Sequence, residues 1–315
     1  MLPYRLLRVV PASVIICGGL LGASACDRSP PAAHTDSALV RPESVSSTSP
    51  TLAVDVSGWS RAAGPALFVQ GETRDEAIVL LPTDRDSAAT ARLSVLGNQG
   101  ADVVLFGRGG TRLMAQLGAP PPTVDTECRV WPLRAVRGEG ADNVWAVGFV
   151  DGRTAAMALD SIEVLSSRDS LALAAEASRL ASAVTATTAP SFQGLRFTAH
   201  DIRRFEASPG VQAIVAHLIR RVNQEANPQD EQTFLIAERD SGVTTGPYQL
   251  VYAERTHGLE ETTTTPEVIA GVRIAGRPTL VVARDGNEGV AYVLLERTGP
   301  RQWRIRWTSG LTRCG

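Results

Sequence analysis

Five runs between Tyr248 and Trp307 decide the fold: Tyr248–Arg255 (YQLVYAER), Glu267–Ile274 (EVIAGVRI), Pro278–Arg284 (PTLVVAR), Val290–Arg297 (VAYVLLER) and Gln302–Trp307 (QWRIRW). Each is rich in Val, Ile, Tyr or Trp, side chains that suit a pleated, half-buried surface. Turn residues separate them at Gly276-Arg277, Asp285 to Gly289 and Gly299-Pro300. Parallel neighbours need a crossover of a dozen or more residues, and there is no room for one here. The stretch therefore predicts an antiparallel meander, open or curled into a barrel.

Working outward, Phe192 to Glu206 carries a strand candidate around Leu195 to Thr198. Val211 to Asn223 fits two patterns. As a helix it places Val211, Ile214, Val215, Leu218 and Val222 on one face; as a strand it leads through Asn227-Pro228 into Thr233 to Glu238. The strand is preferred, and residues 189–315 form a second β-rich domain. Ser167 to Ala186 is a helix, capped by Ser167 or Asp169, with Leu173, Ala177, Leu180 and Val184 at helical spacing. It links, over 166–188, to a first β-rich domain at 52–165. There the strand candidates are Ala66–Val69, Ala77–Leu81, Ala91–Leu96, Val103–Phe106, Cys128–Val136 and Asn143–Val150. Pro132 suggests an edge position, since proline cannot donate to a ladder. Asp151-Gly152 reads as a two-residue hairpin into Arg153–Leu159. The class is mostly β (α+β): two antiparallel β-rich domains, sandwich or small barrel, joined by one helix.

At the other end of the chain, Arg5 and Arg8 precede an apolar run from Val9 to Leu21, followed by Ala23-Ser24-Ala25 and Cys26. A charged start, a short apolar core and a small-residue cleavage site make a secretory signal peptide over residues 1–25. The run is shorter than the roughly 20 residues that span a bilayer. Small residues leading into Cys26 resemble the lipobox of bacterial lipoproteins, with Ala23 where that family usually has Leu. The resemblance covers this segment alone. It implies cleavage before Cys26, acylation of that residue, and a protein lipid-anchored to a bacterial membrane and facing the periplasm or exterior. Plain secretion, with cleavage after Ala25, is the alternative. Asp27 resembles the inner-membrane retention signal of enteric lipoproteins. Residues 26–51, rich in Pro, Ser, Ala and Thr, form a linker without periodicity.

Composition narrows the chemistry. The net charge is −2, and removal of Arg5 and Arg8 with the leader takes it to −4; no basic stretch suggests nucleic acid. All 31 basic residues are arginine, which excludes a P-loop lysine, a Schiff-base lysine and a Ser-Lys pair. Of four cysteines, Cys17 leaves with the leader and Cys26 is the lipid site. Cys128 and Cys314 remain as partners for one disulfide in an oxidising compartment.

No Gly-x-Ser-x-Gly, His-Glu-x-x-His or Cys-x-x-Cys pattern occurs, and Gly107-Arg-Gly-Gly110 completes no dinucleotide fingerprint. Asp285-Gly-Asn-Glu-Gly289 lacks the distal glutamate of a calcium loop and reads as a hairpin turn. No residue is assigned to catalysis, cofactor or metal. The residues weighed for such roles are His34, His200, His217 and His257; the carboxylates Glu225, Asp230, Glu231, Glu260 and Glu261; and Trp303 with Trp307, which four-residue spacing puts on one strand face. Glu-Arg recurs at Glu238, Glu254 and Glu296, read as ion pairs on a solvated face. The expectation is an envelope lipoprotein that binds an envelope protein or cell-wall material without catalysis. The alternatives are a carboxylate-based hydrolase of envelope substrates and a small-ligand binder with its pocket in the C-terminal sheet.

Overall fold

The computed structural model describes residues 58–121, 128–138, 144–184, 189–222, 227–242 and 246–314. Six short strands close into a barrel: β1 (Leu67–Gln70), β2 (Glu76–Leu80), β3 (Asp102–Phe106), β4 (Arg112–Leu117), β5 (Val130–Gly138) and β6 (Val147–Val150), in the order β1-β2-β5-β4-β3-β6. Side chains alternate across its wall. Phe68, Val79, Leu105 and Leu113 fill one core, while Leu67, Val69, Ile78 and Phe149 belong to another.

Three expectations for this region need correction. Ala91–Leu96 is not a strand: it lies within helix α1 (Ser87–Asn98), capped by Asp86, whose Oδ1 accepts from Ala89 N at 2.8 Å. Ala89, Leu93 and Gly97 are its buried residues, at a spacing of four. Gly97 has no alternative, since a Cβ would come within 2.4 Å of Gly118 O. Pro132 is not at an edge, because β5 pairs with both β2 and β4. Its carbonyl accepts from Gly118 N at 2.9 Å. Its nitrogen faces the same way, beyond the end of β4, where the ladder needs no donor. Asp151-Gly152 is not a hairpin turn, for β6 pairs with β1 and β3 only.

Instead the chain leaves the barrel there and supplies an edge strand to each of two antiparallel sheets. β7 (Thr154–Ala156) borders the sheet β16-β15-β14-β13-β7, and β8 (Asp160–Ser161) borders β12-β11-β10-β9-β8. Their other strands are β9 (Thr198–Ser208), β10 (Val211–Val222), β11 (Gln229–Asp240), β12 (Gln249–Leu259), β13 (Thr265–Ile274), β14 (Arg277–Gly286), β15 (Gly289–Gly299) and β16 (Gln302–Thr308). The segment open to two readings is thus strand β10. The first strand of this region is β9, starting at Thr198; Leu195 precedes it, after a 3-10 turn at Pro190–Phe192. The β13–β14 hairpin turns at Ala275-Gly276, both at positive φ, which suits the right-handed twist of its strands.

The layers stack through the second of these cores and two more. Barrel residues Leu67, Ile78 and Phe149 pack on Val281, Leu294 and Trp307. The opposite face of that sheet, with Leu280, Val282 and Leu295, packs on Val215, Phe234 and Ile236 of the second. The far face of the second, with Ile214, Leu218 and Leu235, is covered by Leu173, Ala177 and Leu180 of helix α2 (Ser167–Ser182). Ser166 caps this helix, its Oγ accepting from Asp169 N. Both sheets are therefore covered on both faces. This accounts for unbroken buried runs such as Asp230 to Glu238 on β11, where a one-sided sheet would alternate.

A disulfide joins Cys128, just before β5, to Cys314, with Cα atoms 5.6 Å apart and a sequence separation of 186. Cys314 follows Thr312, which bridges to Val290 at the start of β15. The bond therefore ties the barrel to the sheet beside it. Among the described residues no helix is long and apolar enough to cross a membrane.

Candidate functional site

The cleft richest in chemistry opens at one end of the stack, between the two sheets. It begins with an irregularity in the β9–β10 hairpin. His217 pairs with Asp201, but Leu218 pairs with Ala199, leaving His200 as the extra residue of a β-bulge. A bulge re-aims side chains that regular pleating would send to alternate faces. Here the His200 ring meets the His217 ring edge-on, with centroids 5.1 Å apart and planes at 71°. Directly opposed residues share a face, so Asp201 lies on the same side as His217. That side is the inter-sheet side, because Val215, two residues earlier, packs in the inter-sheet core.

His217 is 3% exposed. Its Nε2 bonds to Gln232 Oε1 at 2.9 Å, while its Nδ1 is buried without a hydrogen-bond partner. Burial pushes the imidazole down to about 4, against the opposing effect of the Gln232 bond. At neutral pH the ring is uncharged. With Nε2–H donating to the Gln232 carbonyl, Nδ1 is a bare acceptor.

The remaining wall comes from three elements. Arg203 Nε donates to Asp201 Oδ2 at 3.0 Å. Pro266 and Glu267 of β13 close the far side, and Arg108 from the β3–β4 turn pairs with Glu267. Together they enclose about 260 Å³. A second hollow of about 120 Å³ adjoins it, sharing Phe234 and Pro266, with Gln232, Thr256 and Thr264 at its sides. There Arg284 grips Glu254 with contacts of 2.5 and 2.6 Å to its two oxygens, and Tyr252 donates to the same carboxylate. Burial first, then the Glu254 charge, raises the Tyr252 pKa, so its proton stays in place. Each carboxylate facing the cleft is thus matched by an arginine.

Other sequence candidates fall elsewhere. Cys26, His34 and Glu225 lie outside the described residues. Asp230 and Glu231, adjacent on β11, point to opposite faces and are not brought together as an acid–base pair. Asp230 is forked by Arg221 at 2.6 and 2.9 Å, and Arg221 also holds Glu260. Glu231, fully buried, takes Arg220 Nε at 2.6 Å beneath Phe197, whose ring lies 4.5 Å from the Arg220 guanidinium carbon. His257 is exposed on β12, opposite Glu231 in the ladder and away from the cleft. Asp285 to Gly289 forms the β14–β15 hairpin turn.

The Glu-Arg repeats do make ion pairs, but not on a solvated face. Glu238 is completely buried and reaches across the stack to Arg297, with bonds of 2.7 and 2.9 Å. Glu296 is also buried, and pairs with Arg277. Trp303 and Trp307 are both buried and do not share a face, so no stacking platform for sugars exists there. Gln232, Arg203 and Arg108, now at the cleft, carried no signal in sequence. Among the described residues no group of three or more His, Cys, Asp and Glu side chains is arranged to hold a metal. No family model matches the chain, and neither a curated protein nor a solved structure matches it.

Proposed function

We propose that the chain is an exported lipoprotein, held to a bacterial membrane through an acylated Cys26, whose β-built body binds a ligand or partner in the envelope. The observation that carries this reading is the Cys128–Cys314 disulfide. A structural disulfide persists in an oxidising compartment, the one to which a leader cleaved before Cys26 would deliver the chain. The cleft around His200, His217 and Glu254 is the ligand site of this reading. It offers a neutral acceptor nitrogen, two threonine hydroxyls and internally matched charges, a set suited to holding a polar molecule.

The test is mass spectrometry of the chain isolated from bacterial membranes. The expected N-terminal peptide begins at Cys26 and carries acyl chains, and Cys26→Ser moves the protein to the soluble fraction. An intact, unacylated leader on a cytoplasmic protein would overturn the proposal.

A further inference from the structure

His217 is held the way a metal-ligating histidine is held. A ligating imidazole usually gives its second N–H to a carboxylate or carbonyl, which fixes the tautomer and leaves the other nitrogen bare. Here Nε2 bonds to Gln232 Oε1 at 2.9 Å, and Nδ1 is buried with no partner. β10 lies between β11, which carries Gln232, and β9, which carries His200 and Asp201. The two ring nitrogens diverge widely. With Nε2 turned toward β11, Nδ1 is directed to the β9 side.

On that side stands His200, the other histidine of the cleft among the described residues. The centroids of His200 and His217 are 5.1 Å apart. Two imidazoles sharing one tetrahedral Zn2+, with nitrogen–metal bonds of about 2.0–2.1 Å, bring their ring centres to roughly 5 Å. His200 is exposed and can turn, while His217 is fixed. The bulge that frees His200 from the regular pleat is what allows the two rings to meet.

We propose that His200 and His217 form a two-imidazole site for a borderline divalent cation, Zn2+ or Cu2+, with water filling the remaining positions. The adjoining hollow of about 260 Å³ holds several waters at about 30 Å³ each. Two nitrogen donors select against Mg2+ and Ca2+, which take oxygen ligands. The charged groups around the site are Asp201 with Arg203, Glu267 with Arg108 and Asp230 with Arg221, matched pairs that neither repel nor strongly attract a cation. Open water positions would let the metal carry the polar ligand of the cleft. The proposal gives that site a ligand class and is independent of the tether, so either can fail alone.

The test uses the purified full chain, stripped with a chelator and titrated with ZnCl2 by calorimetry and thermal unfolding, with MgCl2 as control. One saturable Zn2+ equivalent is expected, together with a rise in Tm that Mg2+ does not produce. His200→Ala, an exposed substitution, should weaken binding by about tenfold or more while leaving the metal-free Tm unchanged. Cu2+ electron paramagnetic resonance should show two coupled imidazole nitrogens, falling to one in His200→Ala. No saturable binding overturns the proposal. So does binding that survives His200→Ala and is lost instead in His34→Ala or His257→Ala.

Discussion

Trp303 and Trp307 stand four residues apart on β16 and face opposite sides of their sheet. Trp307 pairs with Leu294 and Ile305 with Leu295, so Arg306 is the extra residue of a bulge that inverts the alternation. Trp303 points into the inter-sheet core, where its Nε1 donates to buried Glu238 at 2.7 Å. Trp307 points toward the barrel, donates to Pro82 O at 2.9 Å and meets Trp59 edge-on. Trp303→Phe is therefore expected to cost more than Trp307→Phe, though both keep an aromatic ring. The first removes a bond to a charged group, about 1.5–3 kcal/mol; the second removes one to a neutral carbonyl, about 0.5–1.5 kcal/mol. Urea unfolding of both variants checks the order.

Glu238 and Arg297 bridge the sheets as a buried ion pair. Burial pushes the Glu238 carboxyl up, but the bonds from Arg297 and Trp303 outweigh it and hold the carboxyl below its ordinary value. Glu238→Ala strands a largely buried guanidinium and should destabilise by about 3–5 kcal/mol. Arg297→Met combined with Glu238→Leu should cost clearly less than the two single changes added together. Additive losses in a double-mutant cycle would show that the pair is not coupled.

His217 makes stability pH-dependent. Its folded pKa of about 4 lies below the ordinary value of 6.5, so the unfolded chain binds the proton more readily. The contribution is complete above pH 6.5 and is lost as pH falls toward 4, amounting to about 3 kcal/mol across that window. Glu238, also depressed, adds a loss at the acid end, below its ordinary value of 4.5. Denaturant melts from pH 7.5 to 4 should show the decline, and His217→Gln should flatten its upper part. An unchanged slope in that variant contradicts the assignment.

The disulfide closes a very long loop. In the chain-entropy picture such a ring contributes about 5 kcal/mol, and measured values often fall lower. Cys128→Ser with Cys314→Ser should therefore lower stability by about 2–5 kcal/mol while leaving the sheet signal in far-ultraviolet circular dichroism. Equal stability with and without the bond would mean that the barrel and sheets hold together without it.

Of the five runs from Tyr248 to Trp307, the last four form the expected meander, β13 to β16, legible because short turns between them leave no other topology; the first, β12, pairs with β11 in the other sheet, since the chain changes sheets between Leu259 and Thr265. The two covered faces were not. An apolar run such as Phe234 to Ala237 looks the same whether one side or both are buried, and only the stacked barrel and α2 decide it. Bulges hid the site. Counted from Val211 opposite Ser208 without irregularity, His217 would meet Ile202; one extra residue brings it to Asp201, and the next sets His200 beside it. Neither shift leaves a mark in composition. Ala91–Leu96 is ambiguous for a simpler reason: an apolar–polar alternation of six residues also fits a helix, and the Asp86 cap with its following alanines is the better signal. The Arg-Glu pairs were visible as residue types, but which sheet each would reach across to was not.

The position of the two cysteines also orders assembly in time. Every barrel strand precedes residue 151, so the barrel can close while the later sheets are still being synthesised. Cys128 then waits at its rim as a free thiol through the next 186 residues. Its partner lies beyond β16, so the bond can form only after the strands of both sheets have been made.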